Sequence, residues 1–210
     1  MEDYYLAFDT ETGGLDENVE DLLTAYFAII TYDYKIVDEL DLKLKPDGGR
    51  LPIANAGALK VNGINIQEHM SDPATIAYSE ANKLLVEFLQ KHRKPGRWSN
   101  ITPLAHNAPF DLRWTQKHII PFAQWDKLCS YAVADTKGDG DALKRWGFLP
   151  ASVGSLSSYV EYFGIPKRNA HNAREDTLMM IDVAKAMEAF MRSKKEGGSS
   201  QDLITLLEAE

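Results

Sequence analysis

Three short segments of this 210-residue chain concentrate acidic side chains, and one of them adds a histidine. The first contains Asp9 and Glu11, the second Asp111, and the third His171 and Asp176. Carboxylate oxygens without a cysteine or histidine cluster favour hard cations such as Mg²⁺ or Mn²⁺ over zinc. An imidazole titrates near neutral pH and can serve as a general base. The inventory therefore suits two divalent metal ions and a base acting on a phosphodiester.

The spacing within the segments predicts how these groups are positioned. Residues i and i+2 of a strand face the same side, so Asp9 and Glu11 should point the same way at a strand end. Two carboxylates held that close repel each other unless a cation lies between them. His171 is expected in the loop before the last long helix, and Asp176 in that helix's first turn. Packing of the helix on the sheet would bring Asp176 to the pair.

The hydrophobic pattern predicts an α/β domain over residues 1–193, followed by a flexible linker and short amphipathic tail over 194–210. The predicted strands cover residues 4–9, 23–32, 36–44, 101–105 and about 125–129. The predicted helices cover about residues 74–91, 109–118, 155–163 and 173–193. Residues 46–72 are expected to form loops with at most short helices.

Composition limits the classes of partner and location. The net charge of −8 argues against sequence-independent coating of a duplex, which needs many contacts from basic residues to phosphate. No apolar run approaches the roughly 20 residues that span a bilayer, so no membrane partner is expected. A single cysteine, Cys129, rules out an internal disulfide and is expected to be buried. Together with an acidic N-terminal start that lacks a basic leader, this predicts a cytoplasmic protein.

Each segment also has an ordinary structural interpretation. The Asp-Thr-Glu sequence at residues 9–11 is a common surface tripeptide, and His171 could be a solvated loop residue. Asn107 or Asp111 could simply cap a helix or lie in its first turn. None of the three segments is specific alone. Their order and the elements that carry them favour a joint site.

These segments resemble the three motifs of the DEDDh branch of the DnaQ-like 3′-5′ exonucleases. The first motif corresponds to Asp9-Thr10-Glu11-Thr12-Gly13-Gly14-Leu15, the second to Asn107-Ala108-Pro109-Phe110-Asp111, and the third to the segment from His171 to Asp176. The third is the most specific, because the histidine separates this branch from the one with tyrosine there. The similarity extends over about residues 4–190.

The resemblance implies an RNase H-like fold, in which a mixed five-stranded sheet is flanked by helices. It also implies two metal ions, Mg²⁺ or Mn²⁺, held by Asp9, Glu11, Asp111 and Asp176, with His171 deprotonating the attacking water. The candidate substrate contacts that follow from it are Thr10, Thr12, Gly14, Leu15, Asn107 and Phe110. The implied activity is hydrolysis from the 3′ ends of single-stranded or frayed DNA, releasing nucleoside 5′-monophosphates.

Two alternatives stay open on sequence alone. RNA ends could be the substrate, because no residue identifies a reader of the 2′-hydroxyl. A non-catalytic polymerase-accessory or nucleic-acid-binding module could also retain the fold.

The chain departs from the family pattern in two places, and its tail suggests a partner. Gly13 stands where threonine is commoner, which would loosen contacts to the terminal nucleotide. Residues 137–150 match no family element and are read as an ordinary or a substrate-shaping loop. The tail over residues 201–210 could dock on a replication partner such as a clamp or polymerase, although a self-packing or frayed tail is the favoured reading.

Overall fold

The computed structural model describes residues 3–96, 99–168 and 171–195. Over these ranges, six strands form one mixed sheet in the order β4-β3-β2-β1-β5-β6. The strands are β1 (Tyr4–Thr12), β2 (Leu22–Thr31), β3 (Ile36–Lys45), β4 (Thr75–Ala77), β5 (Ile101–Ala105) and β6 (Ala134–Asp135). β1 pairs antiparallel with β2 and β2 with β3, whereas β5 runs parallel to both β1 and β6, and β4 parallel to β3.

Eight helices accompany the sheet in the described residues. They are α1 (Ala56–Asn62), α2 (Ile66–Ser71), α3 (Tyr78–His92), α4 (Ala108–His118), α5 (Phe122–Trp125), α6 (Thr136–Arg145), α7 (Leu156–Tyr162) and α8 (Ala173–Lys195). A short 3₁₀ turn covers Asp47–Gly49. Ser155 caps α7 with its side chain, and Gly164 follows that helix in a left-handed conformation.

Strand alternation sends the side chains of β1 to two different cores. Leu6 and Phe8 face the layer formed by α3, α4 and α5, where Trp114 is fully buried. Ala7 faces the opposite layer, against Met180 and the rest of the inner face of α8. α6 and α7 pack on the outer side of α8 in a third cluster. Because Asp9 and Glu11 share the alternation of Ala7, they lie on the α8 side of the sheet.

Most predicted elements are confirmed, including the three antiparallel strands and the long last helix. The sheet has six strands in place of the predicted five, since two short strands extend its edges. The strand predicted near residues 125–129 is wrong. Trp125 ends a short helix there, and the Cys129 N–H donates to the Trp125 carbonyl at 2.9 Å, closing a helical turn. Cys129 itself is buried, as predicted, and burial raises the pKa of its thiol.

Two further boundaries differ from the sequence prediction. Residues 75–77 form β4 rather than the first turn of α3, because they pair in parallel with the end of β3. Residues 136–145 form α6, so the segment over 137–150 is not simply a loop. Gly140 is required inside α6, since a Cβ atom there would lie 2.0 Å from the Tyr159 hydroxyl.

The described residues end with α8 at Lys195. The linker and tail predicted over residues 194–210 therefore lie almost entirely outside them. Neither the domain division nor the docking role of the tail is tested. In the three ranges that the structure describes, no helix is both long and apolar enough to cross a bilayer.

Candidate active site

The end of β1 presents two acidic side chains on one face of the sheet. Asp9 pairs with Tyr26 and Glu11 with Thr24 of the neighbouring strand β2. The regular pairing is interrupted immediately after Glu11, where a bulge turns the chain out of the sheet. Both acids are half-buried.

The first turn of α8 brings the third acid to this pair. The Asn172 side chain caps the helix by accepting from the N–H groups of Arg174 (3.1 Å) and Glu175 (3.2 Å). One carboxylate oxygen from each of Asp9, Glu11 and Asp176 lies within 4.8 Å of the others. The predicted convergence of these three acids is therefore present.

The histidine of the third segment lies directly beside Asp176. Its backbone N–H donates to Asp176 Oδ2 at 3.1 Å, and its φ of 65° is left-handed. This hydrogen bond fixes the turn that carries His171 relative to the acidic cluster. The His171 residue is exposed and lines the same cleft as Glu11.

Asp111 comes from the other side of the sheet, in the first turn of α4. Its Oδ1 accepts two hydrogen bonds from Thr10, one from the backbone N–H at 3.0 Å and one from the hydroxyl at 2.7 Å. The Asp111 residue is only 3% exposed. Because Thr10 lies between Asp9 and Glu11, this contact holds the fourth acid against the strand that carries the pair.

Burial disfavours the ionised form of all four carboxyl groups, and the charges of the other acids add to it at Asp9 and Glu11. Burial first, and then the charges of Asp111, Glu11 and Asp176, raise the pKa of Asp9 well above its ordinary value. Burial, followed by Asp176 and Asp111, raises the pKa of Glu11 to about 8. Burial raises the pKa of Asp111 to about 7 against the opposing hydrogen bonds from Thr10, and burial also raises that of Asp176.

The donor set fits divalent cations with oxygen ligands. The side chains that meet at the Asp9–Glu11–Asp176 cluster are all carboxylates, the ligands that Mg²⁺ and Mn²⁺ prefer. Burial and, at Asp9 and Glu11, the charges of neighbouring acids disfavour the ionised carboxylates, so a bound cation would offset this cost by attraction.

A cleft of about 320 Å³ opens beside the acids. Glu11 and His171 form one side, and the α1–α2 segment forms the other. The Asn62 side chain donates to the Thr12 carbonyl at 3.1 Å and so joins that segment to the end of β1. The further lining residues are Thr24, Lys43, Asn62, Ile64, Asn65, Glu68, His69, Asp72 and Asn172. Of the four acids only Glu11 belongs to the described cleft lining, so a ligand in the cleft would meet the acidic cluster at Glu11.

The predicted substrate contacts differ in how far they reach the surface. Leu15 is 79% exposed just beyond the turn. Phe110 is partly buried, and the Arg113 guanidinium lies 4.8 Å above its ring. The Thr10 hydroxyl is directed to Asp111, and the Thr12 hydroxyl donates to the Gly14 carbonyl at 2.6 Å. Their roles toward a substrate stay predictions.

The chain around the turn leaves no room for a side chain at Gly13, and at Gly14 it leaves room only if the Glu20 side chain moves. A Cβ atom on Gly13 would lie 2.4 Å from the Ile53 carbonyl oxygen, and one on Gly14 would lie 2.2 Å from the Glu20 carboxylate. Residues 53–54 therefore lie so close to position 13 that glycine fits there without a clash, where the family that the sequence resembles more often has threonine.

Asp135 positions the second segment, although the sequence analysis did not single it out. Its Oδ1 accepts from the backbone N–H groups of Asn107 (2.8 Å) and Lys137 (3.0 Å). Asn107 has a φ of 72° and makes no capping hydrogen bond with its own side chain. The left-handed turn before α4 is thus held by Asp135. An aspartate between a short strand and a helix start is the only signal that could have indicated this role.

Comparison with known proteins gives matches in structure only. No family model matches the sequence. No curated protein sequence matches it either. A zinc-ion-bound complex of E. coli exonuclease I with single-stranded DNA aligns with a TM-score of 0.70 and 20% identity over 88% of this chain. E. coli exonuclease I in complex with a dT13 oligonucleotide aligns at 0.72 with 18% identity over 93% of the chain. A product-bound structure of exonuclease I aligns at 0.64 with 18% identity over 88%.

These likenesses define the fold. The chain has the mixed α/β fold of the exonuclease I structures, so the predicted resemblance to DnaQ-like, RNase H-like exonucleases is confirmed at the level of the fold. The chain spans only about two fifths of the length of those proteins, 40% of the first and 43% of the second.

Proposed function

We propose that this chain is a metal-dependent 3′-5′ exonuclease that acts on single-stranded or frayed DNA and releases nucleoside 5′-monophosphates. The observation that carries the proposal is the convergence of Asp9, Glu11 and Asp176 within 4.8 Å, with His171 on the rim of the same cleft. The fold shared with exonuclease I supports the same reaction class.

The acids have the composition and arrangement to hold two divalent cations, Mg²⁺ or Mn²⁺. Asp9, Glu11 and Asp176 would hold one ion, and Asp9 with Asp111 the other. When bound, such a pair activates water and neutralises charge on the attacked phosphate and the leaving oxygen. Thr10 orients Asp111 by fixing its Oδ1, which leaves Oδ2 without a hydrogen bond from Thr10.

His171 is the proposed general base. It lies on the solvent side of the carboxylates, and its backbone is tied to Asp176. From there its imidazole can accept the proton of the attacking water and release it to the solvent. The exposed position lets the side chain change orientation between the free and the substrate-bound states.

The cleft favours a single-stranded end over a long duplex. Lys43, the only basic side chain in the described cleft lining apart from histidine, pairs with Asp72, so few cations remain for phosphates away from the acids. Leu15 is exposed at the turn, where it can pack against a base. We therefore expect weak, local binding of a few terminal nucleotides, in agreement with the net charge of −8.

Digestion of end-labelled oligonucleotides tests the proposal. Single-stranded, duplex and 3′-mismatched DNA with a 5′ label, beside an RNA of the same sequence, are incubated with Mg²⁺ or Mn²⁺. We expect a ladder that shortens from the 3′ end, mononucleotide 5′-phosphates as products, and DNA cleaved faster than RNA. Faster cleavage of RNA would establish the exoribonuclease alternative.

Two variants connect the activity to the site. Asp9→Ala and His171→Ala should each lose most of the activity, whereas Glu87→Gln, at an exposed position on α3, should retain it. If both site variants degrade DNA and RNA as fast as the parent, the mechanism is wrong. If the parent is inactive on every oligomer, the accessory-module alternative replaces the nuclease.

The predicted cytoplasmic location also remains a proposal, based on the single cysteine.

A further inference from the structure

A second cavity, of about 340 Å³, lies far from the acidic cluster on the same side of the sheet. Tyr5, in its wall, precedes Asp9 by four positions, which is about 13 Å along a strand. Met187 and Met191 lie toward the opposite end of α8 from Asp176. The lining residues, named together as the distal pocket, are Tyr5, Tyr34, Leu104, Ala134, Thr136, Asp139, Ala142, Leu143, Trp146, Ala184, Met187, Glu188 and Met191.

The walls of the distal pocket combine apolar and aromatic surface. The rings of Tyr5 and Tyr34 stack with their centroids 6.2 Å apart and an interplanar angle of 15°. Trp146, which a folded protein usually buries, is 63% exposed at the pocket. Met187 and Met191 add polarizable thioether side chains. Such walls suit the flat or aliphatic part of a small ligand.

The charges in the distal pocket are all negative. Asp139 and Glu188 are its two ionisable acids, and no lysine, arginine or histidine belongs to its described lining. Glu188 pairs with Arg192, whose side chain is exposed, and the nearby Glu188 carboxylate, after burial, helps to raise the pKa of Tyr34. Asp139 has no ion-pair partner in the described part of the chain. Both carboxylates act on Tyr5, whose pKa is raised by burial first, then by Tyr32, Glu188 and Asp139.

This combination selects against most ligand classes. A phosphate or carboxylate would be repelled by Asp139 and would find no basic side chain in the described lining, since Arg192 is already paired with Glu188, so the distal pocket is no extension of a nucleic-acid path. A neutral apolar ligand would remove water from these acids without replacing the lost hydrogen bonds. A cation on an apolar stem satisfies both the acids and the aromatic faces, because ring faces attract alkylammonium and guanidinium groups.

We propose that the distal pocket binds an aliphatic amine or guanidine, with the charged group between Asp139 and the aromatic rings and the stem along Met187 and Met191. Free polyamines carry this chemistry, and so does an arginine side chain. The site is independent of the proposed nuclease activity, since it shares no residue with the acidic cluster.

Binding to the full chain can be followed by NMR with carbon-13-labelled methionine methyl groups. Agmatine, spermidine and N-acetyl-arginine amide are the cationic probes, and butanediol is the neutral one. Mg²⁺ is kept in excess so that the amines do not associate with the catalytic acids. We expect the cations to shift the Met187 and Met191 resonances while the Met70 resonance stays in place. Agmatine binding without arginine-amide binding identifies a free amine as the ligand, and the reverse identifies a side chain.

Substitutions then test which residues of the distal pocket hold the charged group of the ligand. Asp139→Asn should weaken agmatine binding about tenfold, because the ligand's charged group loses the carboxylate that pairs with it. Trp146→Ala should weaken it as well, and Glu87→Gln should not. All three variants should digest DNA at the parental rate. The proposal is overturned if butanediol shifts the same resonances with equal affinity, or if Asp139→Asn binds agmatine as tightly as the parent.

Discussion

Thr10 holds Asp111 with two hydrogen bonds, 3.0 Å from its N–H and 2.7 Å from its hydroxyl, across 101 positions of sequence. The contact joins the middle of the Asp9–Glu11 pair to the first turn of α4. It is buried and is directed to one oxygen of the carboxylate. The distance between the first and second acidic segments is therefore set by a threonine that the motif places between its two acids.

Thr10→Val tests this contact, because it removes the hydroxyl and leaves the shape of the side chain and the N–H intact. We expect a loss of about 1–3 kcal/mol in the free energy of unfolding and a lower rate of hydrolysis, since Asp111 loses one of its two hydrogen bonds from Thr10. Urea unfolding and initial rates measure both quantities.

Thr115→Val is the matched control, since the buried Thr115 hydroxyl has no hydrogen-bond partner among the residues that the structure describes. The same exchange should there leave stability unchanged or slightly higher. Equal effects of the two substitutions would show that the Thr10–Asp111 bond has no special role.

The raised pKa values predict how stability depends on pH without metal. Glu11 titrates at about 8 in the folded chain against 4.5 ordinarily, and Asp111 at about 7 against 3.8. As pH rises through this window the unfolded chain releases its protons first, so ionisation favours unfolding. The melting temperature in EDTA should therefore fall between about pH 4 and pH 8.

Added Mn²⁺ should stabilise the protein more at pH 8 than at pH 5, because the ion binds the ionised carboxylates. Thermal unfolding at the two pH values, with and without Mn²⁺, measures this difference. A melting temperature in EDTA that rises over the same window would contradict the raised pKa values of Glu11 and Asp111.

Gly13→Ala tests the close approach at the turn after Glu11. The new Cβ would lie 2.4 Å from a backbone oxygen of Ile53, which has no flexible end to move aside. We expect a destabilisation of about 1–3 kcal/mol and reduced activity, since the turn between Glu11 and Leu15 must shift. Calorimetry and initial rates measure the two effects.

Gly138→Ala provides the control for this substitution. That glycine lies in α6 with its nearest side-chain contact at 3.7 Å, so alanine should stabilise the helix by about 0.5–1 kcal/mol. If the Gly13→Ala protein is as stable as the parent, residues 53–54 can move away from the turn at little cost in free energy.

Asp135→Ala tests a positioning role at the second segment. Losing its acceptor leaves the N–H groups of Asn107 and Lys137 unpaired, at a cost of about 1–2 kcal/mol. Hydrolysis should slow as well, since the start of α4 sets the direction of Asp111. Asp135→Asn keeps an oxygen acceptor and should restore most of both properties. If Asp135→Ala hydrolyses DNA at the parental rate, the residue only caps α6.

The sequence predicted the parts of the fold that have a clear local hydrophobic pattern. β2 is a continuous apolar run that is buried along most of its length, whereas β3 alternates between exposed and less exposed residues. The helix from Ala173 buries residues at helical spacing. β4 and β6 could not be predicted, since two or three residues carry no period and owe their strand form to a neighbour. The strand prediction at 125–129 is wrong because Trp125, Leu128 and Cys129, separated by the charged Asp126 and Lys127, are buried at helical spacing, which a five-residue segment is too short to show.

The candidate site was predictable where chemistry and spacing coincide. Asp9 and Glu11 share a strand face, and Asp176 follows the cap of a long helix, so their convergence could be inferred before the structure. The contacts of Thr10 with Asp111 and of Asp135 with Asn107 connect distant segments and depend on the packed fold. The distal pocket could not be inferred either, since its residues come from separate elements that meet only in three dimensions.

The most direct test of the central claim is Mn²⁺ titration calorimetry combined with DNA hydrolysis on the same samples. The parent chain should bind Mn²⁺ and hydrolyse single-stranded DNA only when the metal is present. Glu11→Gln should lose at least about tenfold in affinity and most of the rate together, while Glu87→Gln keeps both. Hydrolysis that continues in EDTA, or a Glu11→Gln protein that binds Mn²⁺ and cleaves DNA like the parent, would contradict the account.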